Sequence, residues 1–116
     1  MIVGIGVDVV DIARLEAAMD RTPSMRSRLF VGSELDLQLT SLAGTYAAKE
    51  ALVKAIKGPA GLSWQDIEVV REASGAPSFE LSDRAGQRAK ELGIETLHLS
   101  ISHDGGMATA FVVAEG

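Results

Sequence analysis

The sequence predicts an α+β domain of two layers, a mainly antiparallel sheet packed by one long helix. Three stretches predict it. Residues 2–10 are β-branched at every odd position from Val3 to Val9, as in a strand. Residues 42–57 carry Ala47, Ala48, Ala51, Leu52, Ala55 and Ile56 on one broad helical face. Residues 97–113 read as two strands around Asp104-Gly105-Gly106, a hairpin signal. The elements run β-α-(α)-α-β-β-α-β-β, an order that suits helices laid on an antiparallel sheet.

The first strand reads Ile2-Val3-Gly4-Ile5-Gly6-Val7-Asp8-Val9-Val10. Its odd face (Val3, Ile5, Val7, Val9) is expected to lie against the core. Its even face sets Asp8 beside Gly4 and Gly6, which leave room for a backbone or a ligand. A carboxylate there needs a partner, and a cation is one answer.

Asp11 is a candidate N-cap for a helix whose stripe is Ile12, Leu15, Ala18 and Met19, and Pro23 marks the turn after it. Residues 24–41 are ambiguous. Met25, Leu29 and Phe30 suggest a short helix, and Ser33 with Glu34 suggest the start of another. The long helix, Leu42 to Lys57, is stopped by Gly58-Pro59 and Gly61. Strands at Ile67–Arg71 and Pro77–Leu81 are joined through Ser74-Gly75-Ala76. Ser82 caps a helix that runs to about Leu92 and ends at Gly93. The final hairpin pairs Leu97–Ser102 with Met107–Val113. Its apolar Met107, Phe111 and Val113 are to be covered either by the domain's own helices or by neighbouring copies.

The 116 residues suit one domain, spanning 1–116, with one core. No apolar run approaches the ~20 residues that cross a bilayer, and the N-terminus does not read as a signal peptide. The absence of cysteine excludes disulfides and thiolate metal sites. These features suit a cytoplasmic protein. A net charge of −5 argues against a general nucleic-acid binder. Within that acidic chain, Arg14, Arg21, Arg26 and Arg28 face only Glu16 and Asp20. The stretch is either a solvated face or a docking patch for an acidic partner.

Three clusters carry candidate chemistry: Asp8; Lys49-Glu50 with Lys54; and Ser100-Ile101-Ser102-His103-Asp104. Glu50 and Lys54, at i and i+4, share a helix face with Tyr46 and Lys57. They are either a surface ion pair or part of a site. Asp8 and Glu50 together suit a hard cation through oxygen, with Mg²⁺ the natural choice beside a phosphate substrate. The nearby lysines and His103 would then meet phosphate charge.

Taken in order, Gly4-Ile5-Gly6-Val7-Asp8 with Asp11-Ile12 and Arg14, then Ala47-Ala48-Lys49-Glu50-Ala51 with Lys54-Ala55, then Ser100-Ile101-Ser102-His103-Asp104, resemble the holo-[acyl-carrier-protein] synthase family. These are the small 4′-phosphopantetheinyl transferases, and the resemblance runs from residue 2 to about 113. It implies their fold and their reaction. The 4′-phosphopantetheine arm of coenzyme A moves to a serine of apo-acyl carrier protein, adenosine 3′,5′-bisphosphate leaves, and the product serves fatty acid biosynthesis.

By similarity, Asp8 and Glu50 ligate Mg²⁺, and Lys54 contacts a phosphate and stabilises the leaving bisphosphate. Either Glu50 or a water on the metal is the base for the serine. His103 and the Gly75-Ala76-Pro77 loop match positions near the nucleotide. Arg14, with Arg21, Arg26 and Arg28 placed by charge, is expected to meet the acidic carrier. A homotrimer with active sites between subunits is also implied. Two features depart from the family. Thr45 stands where many members have a basic residue, so one phosphate or carrier contact is absent or supplied elsewhere. Residues 33–43 are shortened. The competing reading is a non-catalytic α+β module that binds a nucleotide or a carrier protein; it has no need for two metal-ligating carboxylates.

Overall fold

A computed structural model describes residues 1–116. The chain forms β1 (Ile2–Asp11), α1 (Ile12–Arg21), α2 (Ser24–Leu29), a 3₁₀ turn (Gly32–Asp36) and α3 (Leu39–Ala55). A second 3₁₀ turn (Trp64–Asp66), β2 (Ile67–Arg71), β3 (Pro77–Leu81), α4 (Asp83–Glu91), β4 (Thr96–Asp104) and β5 (Met107–Glu115) follow. The antiparallel strands divide into a three-stranded sheet, β1-β5-β4, and a two-stranded β2-β3 ribbon. Helix α3 packs across the larger sheet, which gives the expected two layers. No helix is long and apolar enough to cross a membrane.

Strand β1 faces the opposite way from the sequence expectation. Ile5, Val7 and Val9 are exposed, while Gly6 and Val10 are buried against α3. The reason is the helix. A Cβ at Gly4 would lie 2.0 Å from the Ala55 carbonyl oxygen, and one at Gly6 only 1.8 Å from that of Ala51. The backbone of α3 fills the space the two glycines leave, so the glycine face is the core face. The period-two alternation holds and its polarity is reversed. Apolar content is a poor guide when the inward residues are selected for being small.

The buried side of α3 is the one expected: Leu42, Ala43, Ala47, Ala48, Ala51, Leu52, Ala55 and Ile56. It meets Ala108, Ala110, Val112 and Ala114 of β5. The helix begins three residues earlier than expected, after an extended Gln38, and ends two residues sooner. Its end is a Schellman motif: Lys57 N–H donates to Lys54 O at 3.1 Å and Gly58 N–H to Val53 O at 2.9 Å. Lys57 takes the left-handed position at φ 65°, which carries its side chain off the face of α3. Helix α4 ends in the same motif, with Gly93 at the left-handed position.

Local signals elsewhere hold. The Asp11 side chain caps α1 by accepting from Arg14 N–H at 3.0 Å, and Ser82 caps α4 by accepting from Ala85 N–H at 3.2 Å. Gly105 and Gly106, both at positive φ, form the two-residue turn between β4 and β5. The ambiguous stretch resolves as α2 and a 3₁₀ turn. Asp66 ties the start of β2 to α4 by accepting from Ser63 N–H, Ser82 Oγ and Arg84 Nη2 at 2.8, 2.7 and 2.6 Å. Arg84 foremost, then Ser82 and Ser63, hold its carboxyl well below the usual carboxylate range.

The two kinds of glycine predict opposite mutational signs. Gly6→Ala drives a methyl into the α3 backbone and should cost at least about 2 kcal/mol in urea unfolding. Gly86→Ala, in α4 with nothing within 4 Å of the new Cβ, should gain about 0.5–1 kcal/mol. A neutral Gly6→Ala would contradict the close approach.

Candidate active site

The seat of α3 on β1 brings the residues of two clusters into one cleft of about 480 Å³. Its walls include Asp8, Arg14, Tyr46, Glu50 and Lys54. Asp8 comes from β1, two positions beyond Gly6 on the same face. Tyr46, Glu50 and Lys54 come from successive turns of α3. Arg14 projects from the first turn of α1, directly after its Asp11 cap.

Lys54 Nζ donates to Asp8 Oδ1 at 3.1 Å and to the Val7 carbonyl at 2.8 Å. Asp8 therefore has the cationic partner its position demands, and that partner is Lys54. The pair is wet on one side: the Lys54 side chain is 52% exposed and that of Asp8 19%. Thr109 Oγ1 donates to the Asp8 carbonyl at 2.9 Å, fixing the strand at this point.

Tyr46 lies between the apolar and charged parts of the cleft. Its ring meets Trp64 edge-on, with centroids 5.7 Å apart. Burial first, then the Glu50 and Asp8 carboxylates, push its hydroxyl up to about 12. Both carboxylates line the same cleft as the phenol. The chain has three carboxylate or imidazole groups together nowhere in a metal-binding cluster. Asp8 and Glu50 are thus two oxygen donors at a solvent-open cleft. That donor set fits a hard divalent cation whose remaining positions are filled by water and substrate phosphate, and does not fit an all-protein cage.

Other candidates fall elsewhere. Lys49, next to Glu50 in sequence, turns inward. It is fully buried and donates to Glu34 Oε1 at 2.6 Å, Leu29 O at 2.8 Å and Trp64 O at 3.1 Å. All three of its protons are used within the chain, so it does not meet a phosphate. Burial lowers its pKa, with Glu34 opposing. Lys57 leaves the face it was expected to share with Glu50 because it follows the helix end.

His103 lines a second, adjoining cleft with Asp11, Glu16, Thr40 and Asp104, and only Asp11 is common to both. Gly75 and Pro77, on the β2–β3 hairpin, line neither. Of the arginines, Arg14, Arg21 and Arg28 are exposed. Arg26 is not free for docking, since its Nη2 donates to Leu35 O and Leu37 O at 2.8 and 3.2 Å. In the sequence, Tyr46 stands out only as a helix neighbour of Glu50. Glu34, the buried partner of Lys49, carries in the sequence only the signal of a helix start. An acid fifteen positions from a lysine gives no periodic signal.

The chain has a single tyrosine, so tyrosinate absorbance reports on this cleft alone. Alkaline titration should give a midpoint of about 12, and Glu50→Gln should lower it. A midpoint at the value of a free tyrosine would contradict the burial of the phenol, and a midpoint unmoved by Glu50→Gln would contradict the placement of Glu50 beside it.

Residues 4–112 match the family model of the 4′-phosphopantetheinyl transferase superfamily. The chain is 55% identical over 116 residues to a holo-[acyl-carrier-protein] synthase of Clavibacter sepedonicus, covering 100% of this chain and 98% of that one. It is 51% identical over 122 residues to the synthase of Streptomyces griseus subsp. griseus, covering 100% of both. The crystal structure of the Neisseria meningitidis synthase superposes with a TM-score of 0.93 at 30% identity, over 100% of each chain. The Helicobacter pylori synthase, solved in complex with coenzyme A, superposes with a TM-score of 0.84 at 36% identity, covering 96% of this chain and 99% of that one. With a matched family model over nearly its whole length and relatives of this closeness, the chain belongs to the holo-[acyl-carrier-protein] synthase family of 4′-phosphopantetheinyl transferases.

Proposed function

We propose that the chain, as one domain over residues 1–116, transfers 4′-phosphopantetheine from coenzyme A to a serine of apo-acyl carrier protein in the cytoplasm. The observation that carries the proposal is the meeting of Asp8, Glu50 and Lys54 in one open cleft, in a chain of this family. The Helicobacter pylori relative solved with coenzyme A supports the substrate.

In this reading the serine Oγ attacks the phosphorus that bears the pantetheine arm. The bond from that phosphorus to the bridging oxygen breaks, and adenosine 3′,5′-bisphosphate leaves with the electron pair. Glu50, directly or through a water, takes the serine proton. Lys54 turns from Asp8 to the phosphate and offsets the charge that grows on the leaving oxygen. Asp8 and Glu50 would hold Mg²⁺, which when bound supplies positive charge to the pyrophosphate. Arg14, on the cleft wall, receives the acidic carrier, with Arg21 and Arg28 extending the basic approach.

The proposal includes a homotrimer. Ile5 (59% exposed), Val7 (49%), Val9 (57%) and Phe111 (47%) lie on the outer face of the β1-β5-β4 sheet, with Val7 opposite Phe111. An apolar sheet face of this kind marks an interaction surface. Joining copies through it gives a reason for the separation of the remaining residues: His103, Gly75 and Pro77 bind nucleotide where one subunit meets the next.

Glu50→Gln and Asp8→Asn should each lower release of adenosine 3′,5′-bisphosphate by on the order of 10²–10³-fold or more, with the circular dichroism spectrum unchanged. Full turnover in either variant, at saturating coenzyme A and moderate Mg²⁺, sinks the assignment. Sedimentation at assay concentration reads the trimer, and a monomer working at full rate would remove that part of the proposal.

A further inference from the structure

Lys49 and Glu50 are neighbours in sequence with opposite surroundings, one dry and one open to the cleft. Consecutive residues stand about 100° apart around a helix, so this arrangement corresponds to one azimuth of α3. The apolar packing of α3 selects that azimuth only in part: Leu42, Leu52 and Ile56 anchor the two ends of the buried face, while the stretch between them that lies on the sheet is mostly alanine. Ala47, Ala48, Ala51 and Ala55 lie on a strand face made of Gly4 and Gly6 and on Ala108, Ala110 and Ala114 of β5. Small side chains permit close approach but offer few knobs to resist a slide or a turn, and apolar attraction has no direction of its own.

The direction comes from a buried ion pair. Lys49 Nζ spends its protons on Leu29 O, at the end of α2, on Glu34 Oε1, in the first 3₁₀ turn, and on Trp64 O, in the second. Glu34 in turn accepts from Val31 N–H at 2.9 Å and from Val69 N–H of β2 at 2.7 Å. Both side chains are fully buried. Turning or sliding α3 would break charge-assisted bonds where no water can replace them. A second contact runs through the same residue. Trp64, whose carbonyl accepts from Lys49, packs edge-on against Tyr46, which lines the cleft with Glu50.

We infer that the buried Glu34–Lys49 pair is a positioning device for Glu50, setting the rotation and axial register of α3 so that the carboxylate faces the cleft it shares with Asp8. The inference rests on the transferase reading of the cleft. Buried ion pairs contribute little net stability compared with well-packed apolar residues, and fixing one arrangement among several is the better use for them.

The test removes both charges together, which leaves no orphan ion: Glu34→Gln with Lys49→Met. Folding is followed by circular dichroism, and three quantities are measured: kcat for carrier modification, coenzyme A affinity without metal, and the factor by which Mg²⁺ tightens that affinity. The expected result is a folded double variant whose kcat and metal-dependent tightening both fall by about 10- to 100-fold, with metal-free coenzyme A affinity falling by a smaller factor because Lys54 moves with the same helix. A pair that only stabilises the fold would shift the melting temperature and leave kcat and the metal factor of the folded protein alone; that result overturns the inference.

If the double variant does not fold, Glu34→Asp decides. It keeps the charge and shortens the arm by one methylene, so it should fold and lower kcat and the metal factor in the same sense, whereas wild-type values in it overturn the inference. Wild-type protein without metal-dependent transfer fails the transferase reading itself, and a transferring wild type with unmoved variants fails the positioning role alone.

Discussion

Two absent side chains set the distance between helix α3 and strand β1. At Gly4 and Gly6 the carbonyls of Ala55 and Ala51 stand where a Cβ would be, so the helix lies directly on the strand backbone. Asp8 is next along the same strand face. Glu50 and Lys54 flank the contact on α3, and at this spacing the Lys54 ammonium reaches both Asp8 and the Val7 carbonyl. A larger residue at position 6 would move the whole α3 constellation away from Asp8. The cleft is thus a consequence of backbone packing before it is a matter of charged side chains.

The two ion pairs of α3 divide the tasks of holding and exchanging. Lys49–Glu34 is dry and saturated, so leaving it means stranding a charge in the interior. Lys54–Asp8 is open to solvent, and such a pair contributes about 0–1 kcal/mol, so either member can change partner at little cost. In the transferase reading, the pyrophosphate of coenzyme A is met by the lysine of the second kind, the one free to leave its partner.

Local chemistry was legible in the sequence, as the Asp11 and Ser82 caps, the glycine stop at Gly93 and the Asp104–Met107 turn illustrate. So were the alanine face of α3 and the pairing of Asp8 with Glu50 and Lys54 in one place. The face of β1 was not. Val3, Ile5, Val7 and Val9 carry the signal of a buried face, yet the inward residues are the glycines that admit a helix backbone. The fate of Lys49 was not legible either, because its acceptors are two backbone carbonyls and an acid from separate segments. Nor does a single chain bring His103, Gly75 and Pro77 to Asp8. Motif order along the sequence carries no distance between the motifs.

The most direct measurement is intact-mass spectrometry of an apo-acyl carrier protein incubated with this chain, coenzyme A and Mg²⁺, beside a control with the metal chelated. The account predicts that the carrier gains the mass of one 4′-phosphopantetheine arm, and that chelation prevents it. A carrier that stays unmodified, with a folded chain that still binds coenzyme A, would contradict the account and leave a binding module in its place.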